Sequence, residues 1–241
     1  VNFERLPEID LKKLNFWQTL EDVNFEQLAP EIEAVLKGSN AIVSSLGMFG
    51  NPLETDEATE ESRKGWEASI DLAHLFGIDL VRSFAGRKRN VPVPQSIERY
   101  RDVFEPLAER AASKGVRIAF ENCPMGGSWE SGDWNIAFDP MAWDLMFDAV
   151  DADNVGLEWE PCRQMTQLID PMPQLKIYMP KIFHVHGKDS TIHRDALAKY
   201  GAFGPRSVVE HRNPVIGDSN WTNIISQLRR GGYKGTIDIE V

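Results

Sequence analysis

The stretch Ile182-Phe183-His184-Val185-His186-Gly187-Lys188-Asp189 is an apolar run that ends in a charged tip. In an extended strand successive side chains alternate between faces, which predicts His184, His186 and Lys188 on one face and Phe183 and Val185 on the other. Two imidazoles and an ammonium sharing a face have no packing rationale. They suit the floor of a polar site in which an imidazole is available to a metal ion. Three further strand-like runs end on a carboxylate: Val116 to Glu121, Val155 to Glu160, and Thr236 to Glu240. Glu121, Glu160, His186 and Glu240 would together offer three carboxylates and one nitrogen, and would leave positions open for a chelating substrate. Carboxylate oxygens suit Mn²⁺ or Mg²⁺, and one imidazole shifts the preference toward Mn²⁺, Co²⁺ or Zn²⁺. Any one of these residues could instead be a solvated carboxylate at a loop edge. Against that stands their common position, each after an apolar strand.

The elements that must position them follow from hydrophobic periodicity. Phe25 to Lys37 reads as an amphipathic helix whose regular part begins at Pro30, and Ala41 to Gly47 as a strand. A long helix is expected from about Asp56 to Phe76, stopped by Gly77, with Trp66, Ile70, Ala73 and Phe76 on its buried face. Asp79 to Phe84 is a strand, Gln95 to Ser113 a helix closed by Gly115, and Val116 to Glu121 a strand followed by a Gly- and Trp-rich loop, Cys123 to Phe138. Pro140 to Val150 is a helix, Val155 to Glu160 a strand, and Gln164 to Met179 a partly helical crossover. After the strand Ile182 to His186 comes a long loop from Ser190 to Asp218, then a helix from Asn220 to Arg230 and a last strand from Gly235 to Glu240. This alternation specifies a parallel sheet. Functional side chains at many strand ends, and no Gly-rich dinucleotide turn, favour a (β/α)8 TIM barrel over an open doubly wound sheet.

Residues 1–241 are long enough for one barrel domain. About six strands are legible where a closed barrel needs eight, and the chain ends one residue after Glu240. The barrel is therefore expected to be incomplete at its N- and C-terminal ends, unless the first residues supply irregular strands. The formal net charge of −11 disfavours non-specific nucleic-acid binding. No apolar run reaches the roughly 18 residues of a membrane span, and the start lacks signal-peptide features. The two cysteines, Cys123 and Cys162, each follow a site carboxylate by two residues and are expected to stay reduced, which with the rest points to the cytoplasm.

In order and spacing these residues resemble the xylose isomerase-like TIM barrels of the sugar phosphate isomerase/epimerase family. The resemblance runs from about residue 40 to the end of the chain. It rests on Phe120-Glu121-Asn122, Val155-Gly-Leu-Glu-Trp-Glu160-Pro161-Cys162, Phe183-His-Val-His186-Gly-Lys188-Asp189, and Gly217-Asp-Ser-Asn-Trp221 leading through Gly232-Tyr233-Lys-Gly235 to Ile239-Glu240. It implies a metal held by Glu121, Glu160, His186 and Glu240, Mn²⁺ first, with Glu121 and Glu240 also the catalytic acid and base. It further implies substrate contacts from Lys188 and from Arg212, beside His211 in the loop that reaches over the site. Two departures stand out. Glu160 takes the place of the usual Asp, and Arg163 the place of a His that touches substrate, where it could still bind a hydroxyl or phosphate oxygen.

Trp129 and Trp134 could wall a sugar ring by stacking or could simply pack. Glu158, His184 and Asp238 lie one step deeper in the barrel, as supporting partners rather than ligands. The expected activity is isomerisation or epimerisation of a keto-sugar by proton transfer next to a carbonyl. A lyase or dehydratase on the same site is the alternative, with a non-catalytic barrel behind it. Metal-dependent phosphodiester cleavage is disfavoured by five histidines and the acidic charge. The expected partners are a small carbohydrate and, as in the paired barrels of this family, a second copy of the chain in a homo-oligomer, with neither nucleic acid nor membrane.

Overall fold

Short apolar runs separated by helices become parallel strands because each parallel connection needs a crossover. The computed structural model describes residues 25–37, 39, 41–204 and 206–240. In it β1 (Leu46–Gly47), β2 (Leu80–Ser83), β3 (Arg117–Glu121), β4 (Val155–Trp159), β5 (Ile182–Gly187) and β8 (Ile237–Ile239) form one sheet in that order. Every neighbouring pair is parallel. The crossovers carry α2 (Glu57–Leu75), α3 (Ile97–Ser113), α4 (Pro140–Ala149), α5 (Pro161–Thr166), α6 (Pro171–Ile177) and α8 (Trp221–Arg230), while α1 (Phe25–Lys37) precedes β1. This is an α/β barrel that is incomplete among the described residues. β1 and β8 are its edges, and Ser44 Oγ, just before β1, reaches Asp238 Oδ2 on β8 at 2.8 Å. Irregular strands expected from the first residues fall outside the described set.

Helix boundaries follow local chemistry. Asp56 caps α2 through its Oδ1, which accepts from Thr59 N at 2.9 Å, and Gly77, at φ +67°, ends it with Ile78 N bonded back to Ala73 O. α1 begins before Pro30, at Phe25. The expectation that regular helix starts at the proline is thus corrected; a proline inside a helix removes one backbone bond without ending it when the flanking turns hold.

The outward side chains of the sheet, among them Val81, Ile118, Phe120, Leu157, Trp159 and Val185, join Trp66, Ile70, Tyr100, Phe104 and Trp143 of the helices in one buried cluster. The inward face is built in layers from the N-terminal ends of the strands upward, as barrel interiors are. Leu80, Ala119 and Phe183 form a small apolar plug. Above it lie Arg82, Glu158, His184 and Asp238, and at the C-terminal ends Glu121, Glu160, His186 and Glu240.

Phe183 was expected beside Val185 on the outward face, and the structure corrects this. The β4–β5 register slips, so that Leu157 pairs with Ile182 but Glu158 with His184. Such a bulge turns the extra residue inward, where Phe183 lies 5.0 Å from the Arg117 guanidinium. Gly156 makes the slip feasible: a Cβ there would stand 2.3 Å from Lys181 O and 2.7 Å from the Phe183 ring.

A second correction concerns Ser190 to Asp218, expected as loop. It contains β6 (Asp189–Ile192) and β7 (Val209–Arg212), an antiparallel hairpin standing off the sheet, with α7 (Arg194–Tyr200) between them. The strands are four residues long and polar, so pairing rather than hydrophobic pattern defines them.

Candidate active site

Each expected ligand sits where a buried strand runs out. Glu121 is the last residue of β3, Glu160 directly follows β4, His186 lies near the end of β5, and Glu240 directly follows β8. Glu121, Glu160 and His186 are buried, while the Glu240 side chain is one-third exposed. Ligand atoms of Glu121, His186 and Glu240 lie within 4.8 Å of one another. Glu160 Oε2 approaches His186 Nδ1 at 4.0 Å.

The backbone beneath these groups is clamped by two asparagines that the sequence reading did not single out as site residues. Asn122 Nδ2 donates to Glu160 O at 3.0 Å while Glu160 N donates to Asn122 Oδ1 at 2.9 Å. Asn135 Nδ2 donates to both Glu121 O and Cys123 O at 2.8 Å. A buried asparagine directly after a strand-end glutamate was the available signal for Asn122; Asn135, fourteen residues away on a loop, left none.

The layer below fixes the histidine. Glu158 is fully buried. Its Oε1 is 2.9 Å from His186 Nε2 and 2.8 Å from His184 Nδ1, and Arg82 Nε approaches it at 3.2 Å. His184 Nε2 meets Asp238 Oδ2 at 3.0 Å. With Nε2 directed at Glu158, Nδ1 of His186 is the nitrogen that faces the other ligands.

Two cations stand beside the carboxylates. Arg163 Nε donates to Glu160 Oε1 at 2.6 Å, and its Nη2 is 3.9 Å from Glu240 Oε1. Lys188 Nζ donates to Glu240 Oε1; Lys188 does not use Asp189, whose oxygens accept from the backbone of Ser190, Gly217 and Ser219. Burial, then Glu158 and Glu240, push the Glu121 carboxyl up to about 7. Burial likewise raises Glu160 against the pull of Arg163. The His186 ring, 3.0 Å away, and the Lys188 ammonium hold Glu240 low, at about 2, against its burial. Burial disfavours an imidazolium at His186, but Glu158, Glu240 and Glu160 outweigh it and raise the ring to about 10.

Whether these residues suit a divalent cation can be tested on their unmet valences. Glu160 Oε2, His186 Nδ1 and Glu240 Oε2 are buried and have no hydrogen-bond partner. His186 Nδ1 and Glu240 Oε2 are 3.0 Å apart without being aligned for a bond. Orphaned polar atoms are costly and uncommon. Three of them converging, together with Glu121, form a donor set of three carboxylates and one imidazole that fits Mn²⁺, Co²⁺ or Zn²⁺.

The other expected contacts divide. Arg163 and Lys188 are in the site. His211, on the β6–β7 hairpin, faces Arg163, Lys188 and Glu240, and burial with the two cations lowers its pKa. Arg212 beside it bonds Glu210 at 2.8 Å and lines the same cavity as Lys188 and His211. Trp129 is not brought to the ligands: it packs against the main core, and its carbonyl accepts from Arg87. Trp134 is half-exposed. Cys123 and Cys162 are buried free thiols, and Ser190 Oγ donates to Cys162 Sγ at 3.1 Å. A larger cavity, about 590 Å³, opens at the opposite end of the barrel around Ile78, Phe183 and Tyr233, away from the site carboxylates.

Comparison with known proteins agrees with the architecture. A family model described as xylose isomerase-like TIM barrel matches residues 9–241. The uncharacterized protein YfiH of Bacillus subtilis (strain 168) is 24% identical over 263 residues, covering 93% of this chain and 81% of that protein. The structure is similar to that of a xylose isomerase domain protein from Planctomyces limnophilus, with a TM-score of 0.70 at 15% identity over 90% of this chain and 76% of the other. It is also similar to the 3-keto-D-glucoside 4-epimerase of E. coli, with a TM-score of 0.66 at 14% identity over 90% and 78% of the two chains.

Proposed function

This chain belongs to the xylose isomerase-like TIM barrel family, and from that premise we propose that it is a divalent-metal-dependent isomerase or epimerase of a keto-sugar. The observation that carries the reading is the gathering of ligand atoms of Glu121, His186 and Glu240 within 4.8 Å of one another, with the unpartnered Glu160 Oε2 4.0 Å from His186 Nδ1. Glu121, Glu160, His186 and Glu240 would hold the ion, Mn²⁺ by preference. When bound, it supplies Lewis-acid polarisation of a carbonyl and its neighbouring hydroxyl.

The protein's own groups move the proton. Without an ion, burial and the neighbouring carboxylates push the Glu121 carboxyl up to about 7; with a divalent cation beside it the group would be held as the carboxylate, the form that acts as a base. Glu121 at the end of β3 and Glu240 just after β8 would stand on either side of a bound carbon. One removes the α-proton and the other returns it. Return to the opposite face of the same carbon gives an epimer; return to the adjacent carbon gives an isomer. Lys188 holds Glu240 in place and Arg163 holds Glu160, while Glu158 fixes the His186 ring.

The test combines metal content with proton exchange. Protein purified with Mn²⁺ is expected to carry about one equivalent, and to exchange substrate α-hydrogen for deuterium in D₂O with some member of a ketose panel. His186→Ala should lose the metal and lower turnover at least a hundredfold, as loss of a ligand does. Full metal occupancy in that variant would remove the site assignment.

A further inference from the structure

We propose that Arg163, with Lys188 beside it, decides which divalent ion the site accepts. Each cation occupies one oxygen of a ligand carboxylate and leaves only the other to face an ion, so that small six-coordinate ions are taken and calcium is refused. This rests on the metal site proposed above and deepens it.

The observation is one arrangement made twice. Glu160 Oε1 accepts from Arg163 Nε at 2.6 Å, while Glu160 Oε2 is unpartnered and stands 4.0 Å from His186 Nδ1. Glu240 Oε1 accepts from Lys188 Nζ and has Arg163 Nη2 at 3.9 Å, while Glu240 Oε2 is turned to within 3.0 Å of the same nitrogen. The tethers are themselves confined: the Lys188 side chain is 5% exposed and that of Arg163 19%, and Glu160 is fully buried. Such charge-assisted bonds are short and strong, and inside the barrel mouth little water stands ready to replace them.

Denticity is what separates the ions. Calcium gathers about six to eight oxygens at 2.3–2.6 Å and draws on carboxylates through both oxygens, whereas ions of the Mg²⁺ kind hold six donors at about 2.0–2.1 Å. Two of the three ligand carboxylates, Glu160 and Glu240, could turn both oxygens to an ion only by giving up the bond to Arg163 or Lys188. Charge does not discriminate, because the competing ions carry the same charge. Arg163 and Lys188 are positioning residues in this sense: they touch the ligands and set how many atoms the ligands can offer.

The same equality of charge makes the test clean. Removing a nearby cation strengthens the attraction for every divalent ion alike, so the ratio of two affinities reports denticity alone. Mn²⁺, Mg²⁺ and Ca²⁺ binding is measured by calorimetry, with Ca²⁺ also titrated against bound Mn²⁺, on wild type, Arg163→Met, Arg163→Lys and Lys188→Met. Wild type is expected to bind Mn²⁺ at least about a hundredfold more tightly than Ca²⁺. Arg163→Met and Lys188→Met should each narrow that ratio about tenfold, the scale on which groups behind a ligand act. The Mn²⁺ to Mg²⁺ ratio should stay as it was, and Arg163→Lys should restore part of the discrimination. Melting curves check that each variant folds; if Arg163→Met does not, Arg163→Lys and Lys188→Met carry the test. A Mn²⁺ to Ca²⁺ ratio that none of the variants changes overturns the proposal, as does a wild type that binds Ca²⁺ as tightly as Mn²⁺. Mn²⁺ binding that is lost in His186→Ala but keeps its ratio in the Arg163 and Lys188 variants would sink this inference and spare the metal site. A wild type that binds none of the three ions would sink both.

Discussion

At the scale of single residues, the proposed ligands crowd carboxylates together in a buried place, and an ion would relieve them. Glu121 shows this most directly, because burial and the Glu158 and Glu240 charges raise its carboxyl from 4.5 to about 7. In the folded metal-free protein it therefore keeps a proton that the unfolded chain has already released. Its contribution to stability is present at or below about pH 4.5 and is lost as pH rises through about 7. Glu121→Gln, which cannot ionise, should leave the metal-free protein about as stable as wild type at pH 5 and about 2 kcal/mol more stable at pH 8. Melting curves in chelator at the two pH values read this out. A wild type as stable as the variant at pH 8 would show that the carboxylate is at ease in its place. Metal should reverse the order, since Glu121→Gln lacks a ligand charge and gains less from Mn²⁺.

At the scale of elements, the four strands that end in the proposed ligands were legible because each joins an apolar run to a polar tip. That pattern comes from a barrel interior whose upper layer is polar and whose outer face is core. The helices were legible through their caps, Asp56 and Gly77 being the clearest. What sequence could not show was set by pairing. The β6–β7 hairpin has no apolar stripe, and the inward turn of Phe183 arises from a register slip against β4. Lys188 lay on the predicted face, yet its partner proved to be Glu240, 52 residues away, rather than the adjacent Asp189. The slip itself makes a prediction. Gly156→Ala would drive a methyl group to within 2.3 Å of Lys181 O, a backbone atom that can yield only if β5 shifts. Overpacking of this kind costs about 1–3 kcal/mol or somewhat more. Because β5 carries His186, the variant should also bind Mn²⁺ more weakly than a surface Gly→Ala control of equal stability. A variant that melts lower but binds metal normally would separate the slip from the site.

At the scale of the whole molecule, the open barrel and the proposed metal site would depend on each other. β8 is three residues long, pairs through three residues with β5, and has no second ladder neighbour among the described residues. Ile239 is two-thirds exposed, and the bond from Glu240 N to Gly187 O is long at 3.4 Å. An edge strand held so lightly should open more readily than the β3–β4 centre. Yet Glu240 supplies one of the four proposed ligands, so an ion would fasten β8 to β3, β4 and β5 at once. Binding to the folded state alone adds about 2.7 kcal/mol when the free ion is at a hundred times its Kd, and for a chain of this size that is a rise in Tm of roughly 5–10 °C. The gain should not be spread evenly. Hydrogen exchange followed by mass spectrometry should show peptides covering residues 235–240 gaining the most protection on adding Mn²⁺, with little change in α3. Glu240→Gln should abolish that local gain while leaving exchange in α3 as it was. Uniform protection across the chain would mean that the ion stabilises the fold without closing its loose edge, and the coupling between β8 and the site would fall.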